Sequence, residues 1–197
     1  MSEELYSKQS WKGSVITSPL PPTLVSCGSG DSANLLTVAW TGICCTRPPV
    51  VYISVRPERF SYGLIKKTGE FVINLPTEPL TRAVDLCGVR SGRDCDKFAL
   101  AGLEPREASQ VSAPIIAQCP VNIECKVREV IALGSHDMFL ADVVAVDAAE
   151  ELIDEKGRLA LEKAGLIAYA HGQYFSLGKV LGSFGYSVRK KKRAKRR

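Results

Sequence analysis

The feature that most constrains this chain is a series of short β-prone segments, each ended by proline or glycine. Thr23–Cys27 is followed by a Gly-Ser-Gly turn, residues 50–55 end two positions before Pro57, and Glu70–Leu75 is followed by Pro76. Residues 121–127 alternate between apolar and polar side chains, as a half-buried strand does. Proline cannot donate to a β-ladder, so the strands must stay short. The pattern predicts a mainly β fold, a small barrel with a few short helices.

Length and composition predict one domain without a membrane span. The 197 residues are 45% hydrophobic and 24% charged, which suffices for a single hydrophobic core. No apolar run approaches the roughly 20 residues that a membrane helix needs. The first ten residues are polar and acidic and have no apolar core of a secretory signal. We therefore expect a cytoplasmic protein.

The net charge of +5 is concentrated at the carboxyl end. Eight of the 26 basic residues lie in positions 189–197, so residues 1–188 carry a net charge of −3. We expect one folded domain over residues 1–188 and a basic, disordered tail over residues 189–197. Such a tail can bind nucleic acid or an anionic surface, but a short terminal charge run is more often simply solvated.

The cysteine spacing does not suggest a metal site. Seven cysteines occur without a Cys-x-x-Cys pair, and the adjacent Cys44 and Cys45 would point to opposite faces of a strand. Most are expected to be small buried side chains in a reducing compartment. A redox role for one of them stays open.

Hydroxyl side chains interrupt the β-prone stretch over residues 34–49. Thr37, Thr41 and Thr46 recur among apolar residues where a buried strand would favour valine or isoleucine. A flat ligand with a polar rim could lie there, or the strand could be half buried with threonine facing water. The preceding Gly28-x-Gly30 is not a dinucleotide fingerprint, because the third glycine is missing and a strand follows it.

A helix is predicted from Phe60 to Gly69, where glycine stops it. Ser61 lies near its start, and the free amides of a first helical turn favour a phosphate group. Ser61 is equally consistent with a simple helix cap. A polar segment over residues 89–98 contains Lys97, and His136 lies at the turn of a predicted hairpin.

Several motifs, in this order, resemble those of the flavin reductase-like, FMN-binding split-barrel family, and within it the flavoredoxin group. They are Asn34-Leu-Leu-Thr-Val-Ala-Trp-Thr-Gly, Arg47-Pro-Pro, Arg56-Pro-Glu-Arg-Phe-Ser-Tyr62, Thr68-Gly-Glu-Phe-Val-Ile-Asn-Leu-Pro76, Cys87-Gly-Val-Arg-Ser-Gly-Arg-Asp94 with Asp96-Lys-Phe98, and Gly134-Ser-His-Asp137. The likeness runs from about Pro19 to Arg189. It implies a six-stranded Greek-key split barrel, a homodimer, and non-covalent FMN near the subunit interface.

The resemblance also implies which residues bind FMN. They are Asn34, Thr37, Trp40, Thr41, Cys45, Thr46, Ser61, Tyr62, Asn74, Lys97 and His136. Ser61 and Tyr62 would lie on the phosphate side, and Cys45 and Thr46 beside the isoalloxazine ring. Trp40 could instead be a core residue, His136 an ordinary hairpin residue, and Lys97 a solvent-exposed lysine.

Two classes of function follow. The first is an FMN oxidoreductase that takes electrons from NAD(P)H, or an electron carrier that serves a redox protein partner. Lys97 would then stabilise the negative charge of reduced flavin. The alternative is a non-enzymatic split-barrel module whose basic tail binds nucleic acid.

Overall fold

The structure, a computed structural model, describes residues 5–189. Most of the chain forms one antiparallel sheet with a few short helices packed against it, so the predicted mainly β fold is confirmed. The predicted tail lies outside the described residues except for Arg189, and the domain boundary at residue 188 stays a prediction. Within residues 5–189, no helix has the length and apolarity that crossing a bilayer would require.

The strands are short, apart from one long hairpin. In chain order they are β1 (Thr23–Cys27), β2 (Asn34–Val38), β3 (Thr41–Thr46), β4 (Pro49–Val55), β5 (Glu70–Leu75), β6 (Pro105–Arg106), β7 (Ile115–Ile116), β8 (Val121–Ala132), β9 (Asp137–Ala148), β10 (Ile167–Ala170) and β11 (Gln173–Ser176). The helices are α1 (Phe60–Thr68), α2 (Thr81–Val89) and α3 (Lys97–Ala101). The main sheet has the order β2-β1-β5-β8-β9-β4-β3, and β6–β7 and β10–β11 form two small separate pairs.

The two edges of the main sheet are consecutive in the sequence. Only Ala39 and Trp40 separate β2 from β3, although these strands lie at opposite ends of the strand order. Because two residues span only about 7–10 Å, the sheet must roll until its edges meet. The Ser54 amide donates to the Trp40 carbonyl at 2.8 Å, which extends the β3–β4 pairing by one residue before Thr41. The result is a split barrel, which has six strands when β2 and β3 are taken as one strand broken at Trp40.

The helix predicted from Phe60 is present and ends at Gly69 as expected. Gly69 follows α1 with a φ of 68°, and its amide donates to the Ile65 carbonyl at 2.8 Å. A left-handed residue at this position favours glycine. Arg59 occupies the N-cap position and its side chain forms no cap bond. Ser61 therefore lies inside the first turn, so its interpretation as the cap was wrong.

Two apolar clusters hold these elements together. The first fills the barrel and includes the fully buried side chains of Phe71, Phe139 and Ile53, against which α1 packs through Ile65. The second lies between β1, β2 and the helices α2 and α3. Because α1 and α2 are each fixed by a core cluster, the segments at their ends are held in defined positions.

A buried carboxylate fixes the loop over residues 109–111 to the sheet. Glu124 on β8 is fully buried and accepts hydrogen bonds from the amides of Ser109, Gln110 and Val111 at 2.6–3.1 Å, and from the Ser109 hydroxyl at 2.7 Å. Burial opposes ionisation, but these hydrogen bonds outweigh it and lower the pKa of Glu124. Asp147 on β9 lies beside it, and burial together with the Glu124 carboxylate raises the pKa of Asp147. Its Oδ2 is buried without a hydrogen-bond partner among the described residues.

Candidate functional site

A cleft of about 510 Å³ opens where the barrel seam meets the ends of α1 and α2. We call it the arginine cleft, because four arginines line it. Two, Arg56 and Arg59, precede α1, and two, Arg90 and Arg93, follow α2. The remaining lining residues are Leu36, Thr37, Val38, Trp40, Ser54, Val55, Glu58, Phe60, Ser61, Ser91, Gly92, Lys97 and His136.

All four arginines are exposed; Arg56 pairs with Glu58 at 3.1 Å, and Arg59 and Arg93 contact the surrounding backbone. Arg59 donates to the Gly88 carbonyl at 3.1 Å, and Arg93 donates to the Glu58 carbonyl at 3.1 Å. The Arg93 guanidinium also lies 6.0 Å from the centre of the Phe60 ring. These contacts use only part of the fork of donors on each guanidinium. The cleft therefore presents free, oriented donors of the kind that bind phosphate.

The first turn of α1 adds uncharged donors to this cationic surface. Ser61 is buried and its hydroxyl accepts a 2.7 Å hydrogen bond from the amide of Asn34, which fixes its position. No acidic residue occupies this first turn. Because unpaired amides and the helix dipole both favour an anion, the turn and the arginines point to the same ligand group.

Lys97 is a buried cation at the base of the cleft. It is 4% exposed, and its Nζ donates to the Cys87 carbonyl at 2.9 Å. Asp96 positions it by capping α3, where its carboxylate accepts from the amides of Phe98 and Ala99. Burial lowers the pKa of Lys97; the Cys87 thiol opposes this shift and Arg59 adds to it. An anion bound nearby would offset the cost of burying this charge.

An aromatic wall closes the other side of the cleft. The rings of Trp40 and His136 stack with centres 5.9 Å apart and an angle of 24° between their planes. The Ser135 hydroxyl lies 3.0 Å from His136 Nδ1. Trp40 is 45% exposed, so it is not a core residue. Thr37 also lines the cleft, and its hydroxyl donates to the Val84 carbonyl.

The structure brings six of the eleven predicted site residues to the arginine cleft or directly behind it. Thr37, Trp40, Ser61, Lys97 and His136 line it, and Asn34 lies behind Ser61.

The other five predicted residues lie elsewhere in this chain, and their role in binding stays a prediction. Thr41 is buried and donates to the Tyr52 carbonyl, whereas Cys45 and Thr46 are exposed on β3. The Tyr62 hydroxyl donates to Asp137 at 2.6 Å. Asn74 is fully buried in the sheet, where its side chain bonds to the backbone of β1 and accepts from Asn122.

Sequence reasoning did not assign roles to the four arginines. Arg56 and Arg59 lie more than 30 positions before Arg90 and Arg93, and no local pattern joins the two pairs. One feature of the sequence could have indicated them. Each pair of arginines borders a helix, and the ends of two helices can place their side chains around one site.

Four of the seven cysteines are buried, Cys44 and Cys45 are exposed, and Cys95 is half-buried. Burial raises the pKa of Cys27, Cys119 and Cys125 to about 12 and that of Cys87 to about 11. Thiols with such values are inert at neutral pH because the thiolate is the reactive form. Cys44 and Cys45 are exposed on the edge strand β3, outside the arginine cleft.

Sequence comparison identifies one domain over most of the chain. The model of the flavin reductase like domain matches residues 16–178. An uncharacterised protein of Pyrococcus abyssi (strain GE5 / Orsay) is 32% identical over 136 residues, which are 69% of this chain and 78% of that protein.

Solved structures show the same fold. The flavoredoxin of Desulfovibrio vulgaris (Miyazaki F) superposes with a TM-score of 0.86 and is 30% identical, covering 93% of this chain and 100% of that one. The FMN-binding protein from Thermus thermophilus, solved with bound 1-cyclohex-2-enone, has a TM-score of 0.75 and 28% identity, covering 91% and 99% of the two chains.

Proposed function

The chain belongs to the flavin reductase-like domain family, and we propose that it is an oxidoreductase that binds FMN in the arginine cleft. It takes electrons from NAD(P)H, or exchanges them with a redox protein partner. The observation that carries the proposal is the convergence of four arginines and the first turn of α1 beside an aromatic wall. These groups suit a phosphate at one end of a ligand and a flat ring at the other.

The dimensions and chemistry of the cleft fit FMN. Its volume of about 510 Å³ lies in the range of pockets that hold small cofactors. The phosphate would be held by Arg59, Ser61 and the amides of the first turn of α1. The ring would lie toward Trp40 and His136, with Thr37 at its edge. A structural relative that is described as an FMN-binding protein supports this assignment.

The protein residues position the ligands and adjust the charge around them. Bound flavin supplies the redox chemistry, since it can accept a hydride from NAD(P)H. Lys97, held on the Cys87 carbonyl, would place a positive charge beside the bound ligand when its amine is protonated. That charge stabilises negative charge that develops on a bound ligand, and more strongly in a partly dry site than in water.

The arginine contribution can be measured with a matched pair of variants. Arg59→Ala removes one guanidinium and leaves the cap of α1 unchanged, because the Arg59 side chain forms no cap bond. Losing a hydrogen bond to a charged group costs about 1.5–3 kcal/mol, so FMN should bind roughly tenfold to a hundredfold more weakly. Arg82→Ala on α2, outside the cleft, is the control and should bind FMN as the unchanged protein does. Equal affinity in both variants would contradict the assignment.

The visible absorption spectrum tests the function itself. FMN bands that bleach on adding NADH or NADPH establish a pyridine-nucleotide-dependent enzyme. Bands that bleach only with dithionite or a reduced protein partner establish an electron carrier. A protein that takes up no FMN contradicts the proposal and leaves the nucleic-acid-binding module. Deleting residues 189–197 separates these cases further, since flavin reduction should survive the deletion and tail-dependent nucleic-acid binding should not.

The proposal includes a homodimer. Two arms of the chain, residues 5–18 and 177–189, expose large apolar side chains such as Trp11 (79% exposed) and Phe184 (105%). Ile43 on the edge strand β3 is 79% exposed. Apolar side chains concentrated in this way mark an interaction surface. A second copy covering the arms and β3 would also bring Cys45 and Thr46 toward a neighbouring cleft.

Size-exclusion chromatography with light scattering measures the oligomeric state directly. A mass near twice 21.4 kDa is expected, and Phe184→Ser combined with Ile43→Ser should lower the measured mass toward that of the monomer. A monomer in the unchanged protein would contradict the homodimer without affecting the assignment of the cleft. The cytoplasmic location stays a prediction.

A further inference from the structure

A tyrosine on α1 connects the two ends of the arginine cleft. Tyr62 follows Ser61 in the first turn of α1, is half-buried, and is not among the residues that line the cleft. Its hydroxyl donates to Asp137 Oδ2 at 2.6 Å. Asp137 begins β9 and directly follows His136 of the aromatic wall. The hydrogen bond therefore joins the turn proposed to bind the phosphate to the hairpin that carries the wall.

The Tyr62 hydroxyl has a charged group on each side. Lys66, one turn later on α1, donates from Nζ to this hydroxyl at 3.2 Å and lies 5.4 Å from the centre of the Tyr62 ring. An ammonium group can only donate and a carboxylate can only accept, so the hydroxyl proton is directed at Asp137. Hydrogen bonds with a charged partner are shorter and stronger than neutral ones. The bond to Asp137 is thus a strong link between α1 and β9.

The ring of Tyr62 is held against the same strand. It meets the Phe139 ring edge to face, with centres 5.4 Å apart and an angle of 72° between the planes. Phe139 is fully buried and lies two positions after Asp137 on β9. Because Tyr62 contacts β9 through both its ring and its hydroxyl, removal of the hydroxyl alone leaves the packing of the ring in place.

His136 depends on Asp137 for its position. It lies in the turn between β8 and β9, where its carbonyl accepts from the Leu133 amide at 3.0 Å. The pairing of β9 with β4 ends at Asp137, opposite Val55. Asp137 is therefore the last residue that the sheet fixes before His136, and a hydrogen bond to its side chain affects where the His136 ring lies against Trp40.

We propose that Tyr62 is a positioning residue, whose hydrogen bond to Asp137 sets the spacing between the first turn of α1 and the wall of Trp40 and His136. This inference rests on the proposed function, because the spacing matters to a ligand whose phosphate and ring bind at the two ends of the cleft. It differs from the direct contact with FMN that the sequence resemblance implies for Tyr62.

Tryptophan fluorescence of the flavin-free protein tests the position of the wall. Trp11 and Trp40 are the only tryptophans, so all variants are made with Trp11→Phe and the emission then comes from Trp40 alone. His136→Ala gives the emission of Trp40 without its stacked ring. Tyr62→Phe keeps a ring to pack on Phe139 and removes only the hydroxyl. Its emission should shift from that of the parent toward that of His136→Ala.

FMN titration measures the consequence for binding. Tyr62→Phe should bind FMN about tenfold more weakly, because the loss is limited to what one hydrogen bond to a charged group gave to the binding-competent arrangement. Tyr174→Phe is the matched control, since the Tyr174 hydroxyl also donates to a carboxylate, that of Asp85 at 3.3 Å, but lies outside the arginine cleft. It should change neither FMN affinity nor Trp40 emission.

Variants of Asp137 separate the hydrogen bond from other effects of the tyrosine. Asp137→Asn keeps an oxygen that can accept from Tyr62 and should retain most of the FMN affinity and the Trp40 emission. Asp137→Ala removes the acceptor and should behave as Tyr62→Phe does. Because both substitutions break the same bond, the double variant Tyr62→Phe with Asp137→Ala should be no weaker in FMN binding than either single variant.

The proposal is overturned if Tyr62→Phe leaves the Trp40 emission of the flavin-free protein unchanged. Weaker FMN binding with unchanged emission would assign Tyr62 a direct contact with the ligand instead of a positioning role. Additive losses in the double variant would also overturn the proposal. Failure of the proposed function is seen separately, as no uptake of FMN by the unchanged protein, and the emission of the flavin-free variants still decides whether Tyr62 positions the wall.

Discussion

Replacing Gly92 by alanine tests the close packing of Gly92 against Asn34 and Phe60 at the arginine cleft. An alanine Cβ would lie 2.3 Å from Asn34 Oδ1 and 2.7 Å from Phe60 Cδ1. Ordinary van der Waals contact begins at 3.4 Å, so the asparagine must move by about 1 Å. Asn34 is buried in the sheet and bonded to Ser61, so this movement disturbs the first turn of α1.

The magnitude follows from the packing of this region. Inserting a methyl group into a well-packed site costs about 1–3 kcal/mol. For a chain of this size that lowers the melting temperature by roughly 2–12 °C. If FMN binds through the first turn of α1 as proposed, its affinity should also fall by about tenfold or more, because Asn34 would no longer hold Ser61 in position.

A second glycine provides the matched control with the opposite sign. Gly63 lies on α1, and a Cβ there would have no neighbour within 4 Å. Glycine to alanine within a helix stabilises by about 0.5–1 kcal/mol. Gly63→Ala should therefore raise the melting temperature by a few degrees and leave FMN affinity unchanged.

The two variants are compared by thermal unfolding and by FMN fluorescence titration. If Gly92→Ala keeps the melting temperature and FMN affinity of the unchanged protein, the close packing of Asn34, Gly92 and Phe60 is refuted. Loss of stability with full FMN affinity would refute only the link from Asn34 to the phosphate-binding turn.

Three further variants or conditions test buried charges. Asp147→Asn should stabilise the protein at pH 7 by about 1 kcal/mol, because the new amide can donate to Glu124, whereas Oδ2 of the present carboxylate has no partner among the described residues. The gain in melting temperature should vanish below about pH 3.9, where Asp147 of the unchanged protein is protonated in both the folded and the unfolded state. Since the pKa of Glu124 is lowered in the folded state, its contribution is complete above about pH 4.3 and is lost as the pH falls through the folded value. Unfolding of Glu124→Gln should therefore differ from that of the unchanged protein at pH 7 and converge with it in acid. Lys97→Met should weaken FMN binding or lower the flavin reduction potential, and unchanged values of both would remove Lys97 from the site.

Local signals predicted most elements of the fold. Alternation over residues 121–127 marks part of β8, Pro76 follows the end of β5, and Gly69 ends α1. The break between β2 and β3 was not predicted, and residues 34–46 were expected to form one strand. Its cause is non-local, because β2 pairs with β1 whereas β3 pairs with β4 at the opposite end of the strand order. Likewise β8 continues to Ala132, five residues beyond the alternating stretch, because it pairs with β9 along this length.

Residue type alone could not show which of the predicted site residues line the arginine cleft in this chain. Asn34 and Asn74 each occupy a β-prone segment and were both expected to contact FMN. Both polar atoms of the Asn74 side chain already have hydrogen-bond partners. Its amide nitrogen donates to the backbone of β1, and its Oδ1 accepts from the Ile116 amide and the Asn122 side chain. The difference depends on which strands lie beside each residue, and strand order is not encoded in a local pattern.

Asn34→Asp tests the hydrogen bond that holds Ser61 at the proposed phosphate site. The amide nitrogen of Asn34 donates to the Ser61 hydroxyl at 2.7 Å. The substitution keeps the shape of the side chain, but it replaces this donor by an acceptor and places a negative charge behind the arginine cleft. The Ser61 hydroxyl could then donate to the new carboxylate, but the charge would repel a bound phosphate. FMN should therefore bind more weakly to Asn34→Asp, and an unchanged FMN affinity would contradict the placement of the phosphate at Ser61.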